Sequence, residues 1–493
     1  MRRSLWTVGL AVALSISFFV MSALADVISG FTEKVSPDAE MNATEPSVAI
    51  DRSDGTVYVA WQASGTHVAR SDDGGRSFVQ TAIGDVFGSD VGDVDVRVGG
   101  PTPCVIPAAR CLPGTHRVYV SSLEKLPLTL QTHLAYSDDR GAHWTVNEVA
   151  ATNPSFIDRP WLAVYPSKTN ANMDDVYISY HDFSASQIWV AGSTDGGQTF
   201  MTVDVFANNP EAQIQSFCNT VPSGIEVDPE TGDVYVEWIT ADPVANTTGG
   251  CNITQAENFH QVWVAHSGPA LPGGATMWTA KQVFDGGPTT NTDDIFATLA
   301  VDDSGKAGVG GNVYSVFADN LLGPNVFDIW FSHSSDKAVT WSQPVKVNSD
   351  KGTHFFPWIA AGSTGRVDFI WLNSPDYTPT DAEESPWYAT FAQTTNGTDA
   401  NPKFNQTSAS SSVMHVGGIC TNGIFCTVNS GNRDLADSIS IAIDRGGSAA
   451  LVWTDQGRVL HGPTWITYGC VTAQQSAIAG AKSGLSCKGP AGP

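Results

Sequence analysis

The sequence predicts an all-β repeat protein built from four-stranded antiparallel units, and three observations carry that expectation. One eight-residue pattern occurs four times: Ser71-Asp72-Asp73-Gly74-Gly75-Arg76-Ser77-Phe78, Ser137-Asp138-Asp139-Arg140-Gly141-Ala142-His143-Trp144, Ser193-Thr194-Asp195-Gly196-Gly197-Gln198-Thr199-Phe200 and Ser334-Ser335-Asp336-Lys337-Ala338-Val339-Thr340-Trp341. Each copy follows a short apolar run, such as Ile188-Trp189-Val190-Ala191 or Ile329-Trp330-Phe331. Between copies come paired apolar stretches of strand length, with 47 glycines available for the turns.

The shared pattern, Ser-x-Asp-x-Gly-x-(Thr/Ser/His)-aromatic, has the chemistry of a tight hairpin. Ser and Asp side chains bond amides within the turn, and glycine accepts a positive φ. The terminal aromatic opens the next strand and fills the space between hairpins. The last copy departs from the pattern by placing Ala338 where the others carry glycine.

These turns resemble the Asp-box (BNR) repeat of the sialidase-like β-propellers, a likeness that spans most of the chain. The resemblance implies a β-propeller in which each box joins the third and fourth strands of a blade. It implies less about activity, because the box is a structural unit.

The blades can be read in order. Blade one has Glu45 to Asp51, Val57 to Trp61 and the turn at Ser71; blade two has Asp93 to Arg97, Arg117 to Val120 and the turn at Ser137. Blade three has Arg159 to Val164, Val176 to Tyr180 and the turn at Ser193. In blade four, Gly224 to Asp228 and Val234 to Trp238 lead to a Pro/Gly-rich turn ending at Trp278. Blade five has Phe296 to Asp302, Val313 to Phe317 and the turn at Ser334. Blade six has Phe356 to Ala360, Val367 to Trp371 and Trp387 to Phe391, then a decayed turn at Thr394-Thr395-Asn396. A final unit has Ser438 to Asp444, Ala450 to Trp453 and a third strand near Val459 to Thr467, but no fourth strand. Phe31 to Val35 could supply it, as propellers often close with an N-terminal strand. The count is therefore seven blades, with six as the alternative.

Arg2-Arg3, an uncharged run over 4–20 and Ala23-Leu24-Ala25 read as a secretory signal peptide at 1–25. The propeller is assigned to 26–468 and a small-residue-rich tail to 469–493. Nothing later reads as a membrane span. A formal charge of −25, with scattered lysine and arginine, argues against a nucleic-acid partner. Eight cysteines in an exported chain read as disulfides, and proximity pairs Cys104–Cys111, Cys218–Cys251, Cys420–Cys426 and Cys470–Cys487. The expected state is a monomer with a glycan ligand or substrate and no cofactor. Asp85, Asp90, Asp93 and Asp95 form an acidic cluster able to hold Ca²⁺.

Antiparallel pairing puts strand-one starts and strand-two ends on one face, opposite the turns. Glu45, Asp158-Arg159, Asp293-Asp294, His354 and Asp437 stand at the starts; Gln62, His181-Asp182, Thr240, Asp319-Asn320, Asn373 and Asp455 stand at the ends. Asp158-Arg159-Pro160-Trp161 looks like the family's Arg-Ile-Pro segment, which implies that Arg159 anchors a substrate carboxylate. The residue between arginine and proline is missing here, so the direction of Arg159 is open. Arg97, Arg117, Arg433 and Arg445 are the candidates for the two further arginines that such a site needs.

Glu237 breaks the repeat, standing where other blades carry Ala60, Ser121, Ser179 and Val316. The resemblance makes it the activator of a nucleophile, with Asp158 or Asp182 as acid/base. His181, His354 and Glu45 join Arg159 as candidate substrate contacts. Two functions follow: a sialidase-like exo-glycosidase, or a non-catalytic propeller that binds glycans or proteins on the same face.

Overall fold

The structure is a computed structural model that describes residues 29–88, 92–101, 114–125, 130–151, 157–167, 170, 172–182, 187–216, 220–241, 259–268, 278–292, 296–305, 309–377, 385–421, 426, 431–472, 485 and 487. Seven antiparallel sheets follow one another along the chain, each with four strands in up-and-down order. Blade one comprises Thr44–Ile50, Val57–Gln62, Thr66–Ser71 and Val79–Gln80. Blade two comprises Gly92–Pro101, His116–Lys125, Leu130–Ser137 and Thr145–Ala151. Blade three comprises Ile157–Pro166, Asp174–Asp182, Ile188–Ser193 and Met201–Asp204. Blade four comprises Thr220–Val227, Val234–Thr240, Gln261–Ser267 and Thr279–Asp285.

Blade five comprises Thr298–Val301, Val313–Asp319, Asp328–Ser334 and Val345–Lys346. Blade six comprises Thr353–Ala361, Val367–Ser374, Pro386–Thr394 and Asn405–Ser408, with His415–Val416 also pairing its third strand. Blade seven comprises Ser440–Ile443, Ser448–Asp455, Trp465–Thr472 and, from the other end of the chain, Ser29–Lys34. The first strand of every blade lies innermost and touches the first strands of both neighbouring blades, round to blade one again. The fold is therefore a seven-bladed β-propeller.

Closure follows the expected route. Ser29–Lys34 runs antiparallel to Trp465–Thr472, with Phe31 opposite Cys470. The third strand of blade seven starts later than its apolar run suggested. Val459 and Leu460 instead form an exposed turn, completed by His461 at φ 52°. That strand then continues to Thr472, so the sheet extends past residue 468. Cys470–Cys487 and Cys420–Cys426 are disulfides. Leu485 and Cys487 are buried against the blade-one and blade-seven core. Cys104, Cys111, Cys218 and Cys251, the proposed leader at 1–25 and the blade-four turn at 269–277 lie outside the described residues. Among the described residues no helix is long and apolar enough to cross a membrane.

The four Ser-x-Asp turns share one geometry, each between third and fourth strands. In the first, Gly75 N donates to Ser71 Oγ at 2.7 Å, while Arg76 N and Ser77 N both donate to Asp73 Oδ1 at 3.0 Å. The equivalent bonds from Gly141, Gly197 and Ala338 to their serines measure 2.8, 2.9 and 3.0 Å. The decayed turn of blade six keeps the motif, with Asn396 N donating to Thr394 Oγ1 at 3.3 Å. Tyr58, Tyr119, Tyr177, Tyr235 and Tyr314, which recur in the second strands, are buried packing residues.

Ala338 sits at φ 61°, where the first three turns place glycine. A Cβ in the left-handed region costs about 1 kcal/mol, so Ala338→Gly is expected to raise the stability of the protein by about that amount in urea unfolding.

Candidate functional site

The first strands do not enter the sheets smoothly. Five of them carry a one-residue β-bulge at the same level, between Thr44 and Ser47, Gly92 and Val94, Asp158 and Trp161, Pro222 and Gly224, and Phe355 and Trp358. Glu45, Asp93, Arg159 and Phe356 adopt positive φ there, at 53°, 39°, 57° and 54°. A bulge of this kind re-aims a side chain out of the pleat. Here it turns three charged residues toward the axis. The signal was present in the sequence as Glu45-Pro46, Arg159-Pro160 and Phe356-Pro357, because proline cannot donate to a ladder and favours a bulge.

Arg159 consequently occupies the centre of the ring. Its Nη1 meets Asp93 of blade two at 2.8 Å, and its Nη2 meets Glu45 of blade one at 3.1 Å and Asp437, before blade seven, at 2.7 Å. The guanidinium also lies 4.7 Å from the Phe296 ring centroid and 5.7 Å from that of Trp161. Burial opposes its charge, but Asp93, Glu45 and Asp437 outweigh burial and hold it firmly cationic. Only 6% of the Arg159 side chain is exposed. Arg433 grips the same Asp437 through both Nη atoms, the longer contact being 2.6 Å. Two arginines thus converge on a carboxylate, and that carboxylate belongs to the protein.

Beneath the ion cluster the axis is filled by rings. Trp161 stands edge-on to Phe296, with centroids 5.2 Å apart, and lies 5.0 Å from Trp358. Its Nε1 donates to Pro222 O at 2.9 Å. Asp95, one turn of the pleat inward from Asp93, accepts from Ser47 Oγ at 2.6 Å and Leu162 N at 2.9 Å, and pairs with Arg97. Asp93 and Asp95 therefore take arginines as partners; Asp85 lies in a short helix, and Asp90 is outside the described residues.

Asp158 and Asp93 are hydrogen-bonded, and their surroundings push the two in opposite directions. Burial raises both, but on Asp158 the bonds from His181 and Asp93 prevail and hold it down to about 2. Asp93 goes the other way: burial dominates Arg159's pull, and the charges of Glu45 and Asp158 push it further above the usual carboxylate range. His181 is buried, with Nδ1 on Thr220 O at 2.9 Å and Nε2 3.8 Å from Asp158. Asp158 keeps 29% of its side chain exposed and is the most open carboxylate of the group.

The other sequence candidates fall elsewhere. Glu237 is fully buried between blades four and five, where it accepts from Ser315 Oγ, and burial raises it well above the carboxylate range. An uncharged, enclosed acid bonded to a serine has the surroundings of a packing group. Asp182 accepts from Trp189 Nε1 at 2.8 Å and is 1% exposed. His354 stands in the first strand of blade six, its Nδ1 on Phe327 O at 2.8 Å and its Nε2 on Asp350 at 3.1 Å. Asp293 and Asp294 are outside the described residues. The structure thus gathers Glu45, Asp158, Arg159 and His181 at the axis, with Asp93, Asp437 and Arg433 added. Glu237, Asp182 and His354 stay apart from them in these contacts.

No family model matches the chain, and no curated protein matches it. Solved structures similar to it include an ulvan lyase of polysaccharide lyase family PL25 (10% identity, TM-score 0.48, 88% of this chain and 95% of that one). A GH93 α-L-arabinofuranosidase of Fusarium graminearum is similar at 11% identity and TM-score 0.41, over 89% of this chain and 97% of that one. The endosialidase of phage phi92 is similar at 9% identity and TM-score 0.44, over 94% of this chain and 72% of that one. No residue role is carried over from any of them.

Removing Arg159 while keeping its carboxylates leaves buried charge uncompensated, so Arg159→Met is expected to cost about 3–5 kcal/mol in chemical denaturation. The two aspartates have opposite pH signatures. Asp158 is depressed, so its contribution is present above about pH 4 and fades as the pH falls toward 2. Asp93 is raised, so its ionisation in the unfolded chain weakens the fold as the pH rises above about 4. Asp93→Asn is therefore expected to match or exceed the parent in stability at pH 7. Asp158→Asn should fall below the parent at pH 7 and approach it near pH 2, as read by melting curves across that range.

Proposed function

We propose that this chain is a secreted glycan-binding propeller that acts through its axial face without cleaving its ligand. The glycan half of the reading rests on the resemblance of the Ser-x-Asp turns to those of sialidase-like propellers. Secretion rests on the Arg2-Arg3 leader, and the two disulfides are compatible with an oxidising compartment.

One observation carries the non-hydrolytic half: Arg159 is already neutralised by Glu45 and Asp437, with Asp93 against its Nη1. A sialidase-like site needs arginines free to receive a substrate carboxylate. Here Asp437 occupies that position against both Arg159 and Arg433. A glycosidase also needs two carboxyl groups roughly 5–10 Å apart, flanking the scissile bond. Asp93 and Asp158 are instead in direct hydrogen-bond contact.

That same pair favours a second reading. Two carboxyl groups whose environments drive their protonation apart are the mark of an acid–base pair, with Asp93 the proton donor and Asp158 the acceptor. A panel of fluorogenic sugars, sialosides included, separates the two. No turnover is expected from the parent protein. Turnover that disappears in Asp158→Asn, with the melting curve still cooperative, would replace the binding reading with the hydrolytic one.

A further inference from the structure

A recess of about 240 Å³ opens on the rim of the axial face, beside blade six and away from Arg159. Its origin is a difference in strand length. The outer strand of blade five has two residues, Val345–Lys346, whereas that of blade six has four, Asn405–Ser408. The faces of the two blades pack through Phe331, Val345, Phe369, Trp371 and Phe404. Beyond that contact the recess is lined by Asn373 and Thr390 of blade six, both buried, and by Ser349 and Asp350, which follow the outer strand of blade five. Asn373 follows Trp371 by two residues, and the pleat keeps both on the same side.

The lining consists of hydroxyl, amide and carboxylate side chains with one aromatic ring. Asp350, Asn373, Tyr388, Thr390, Gln406 and Ser408 are among them, and among the described residues no lysine, arginine or aliphatic side chain lines the recess. These groups are held in place. Asn373 Nδ2 donates to Asp350 Oδ2 at 3.2 Å, and Thr390 Oγ1 donates to Asn373 Oδ1. Ser349 N donates to Gln406 Oε1 at 2.9 Å. His354, fully buried, has both ring nitrogens against oxygen acceptors, Phe327 O and Asp350 Oδ1. Burial would raise Asp350, but the bonds from His354 and Gln406 prevail and keep it ionised.

We infer that this recess binds the end of an uncharged glycan. The inference names the ligand class and the place of the binding reading above, and rests on its glycan half. An apolar ligand would leave the fixed amide and carboxylate groups unpaired, which is unfavourable. An anionic ligand would meet the Asp350 carboxylate with no cation among the described lining residues to offset it. A neutral sugar matches both features. Adjacent hydroxyls can donate to Asp350, whose two oxygens keep lone pairs beyond their protein bonds, and the flat apolar side of the sugar ring can lie on Tyr388.

The test uses the whole secreted chain on an array carrying neutral and acidic glycans, followed by calorimetry with a neutral glycan that binds. Binding confined to neutral glycans, weakened at least about tenfold by Tyr388→Ala and by Asp350→Asn, is expected. Both variants change half-buried side chains, and unaltered melting curves would confirm that they fold. Binding of acidic glycans that these variants weaken would overturn the inference and leave the glycan reading standing. So would neutral-glycan binding that neither variant affects, since the ligand would then sit elsewhere. Absence of binding to any glycan would overturn both.

Discussion

A ring of sheets closes only if its last member finds an outer strand, and here the beginning of the chain provides it. Ser29–Lys34 completes blade seven and so fixes blade seven against blade one. Everything at the axis depends on that seam. Asp437 precedes the first strand of blade seven, Glu45 opens blade one, and they share a single Nη2 of Arg159. Residues almost 400 positions apart in sequence meet there only because the ring is shut.

The axial cluster is costly to build. Glu45, Asp93 and Arg159 hold left-handed backbone angles that cost on the order of 1–3 kcal/mol each, and their charges are withdrawn from water. Glu45 and Asp437 compensate Arg159, and burial together with the neighbouring carboxylates lifts Asp93 above the usual carboxylate range. Such an arrangement stabilises little beyond what hydrophobic residues would give. It does tie blades one, two, three and seven in a single register. It also leaves the axis with a blocked, ring-filled channel, while the open polar surface lies further out, where blade five ends early.

Ala338 and Glu237 both break the chain's own repeat, and each has a different physical meaning. Ala338 is a local strain in a turn that otherwise takes glycine. Glu237 is a carboxylic acid buried between blades and kept neutral by its surroundings. The outer strand of blade five is two residues long against four in blade six, and a polar recess opens beside blade six.

The sequence by itself determined the repeat. The Ser-x-Asp turns, the tyrosines of the second strands and the closing segment near Phe31 were all legible, because turn chemistry and strand alternation are local. The types of residue at the axial face were legible too, since antiparallel strands assign their ends to alternate faces. Their partners were not. Whether Arg159 faced a ligand or Asp437 depended on a bulge that shifts its direction and on a blade almost 280 residues away. The raised Asp93 and Glu237 followed from burial and the lowered Asp158 from bonds to His181 and Asp93, which no single segment contains. The recess was equally beyond the sequence, because it exists only as a mismatch in length between two neighbouring sheets. Local bonding wrote the blades; their packing into a closed ring decided which charges were satisfied and which polar groups were left facing water.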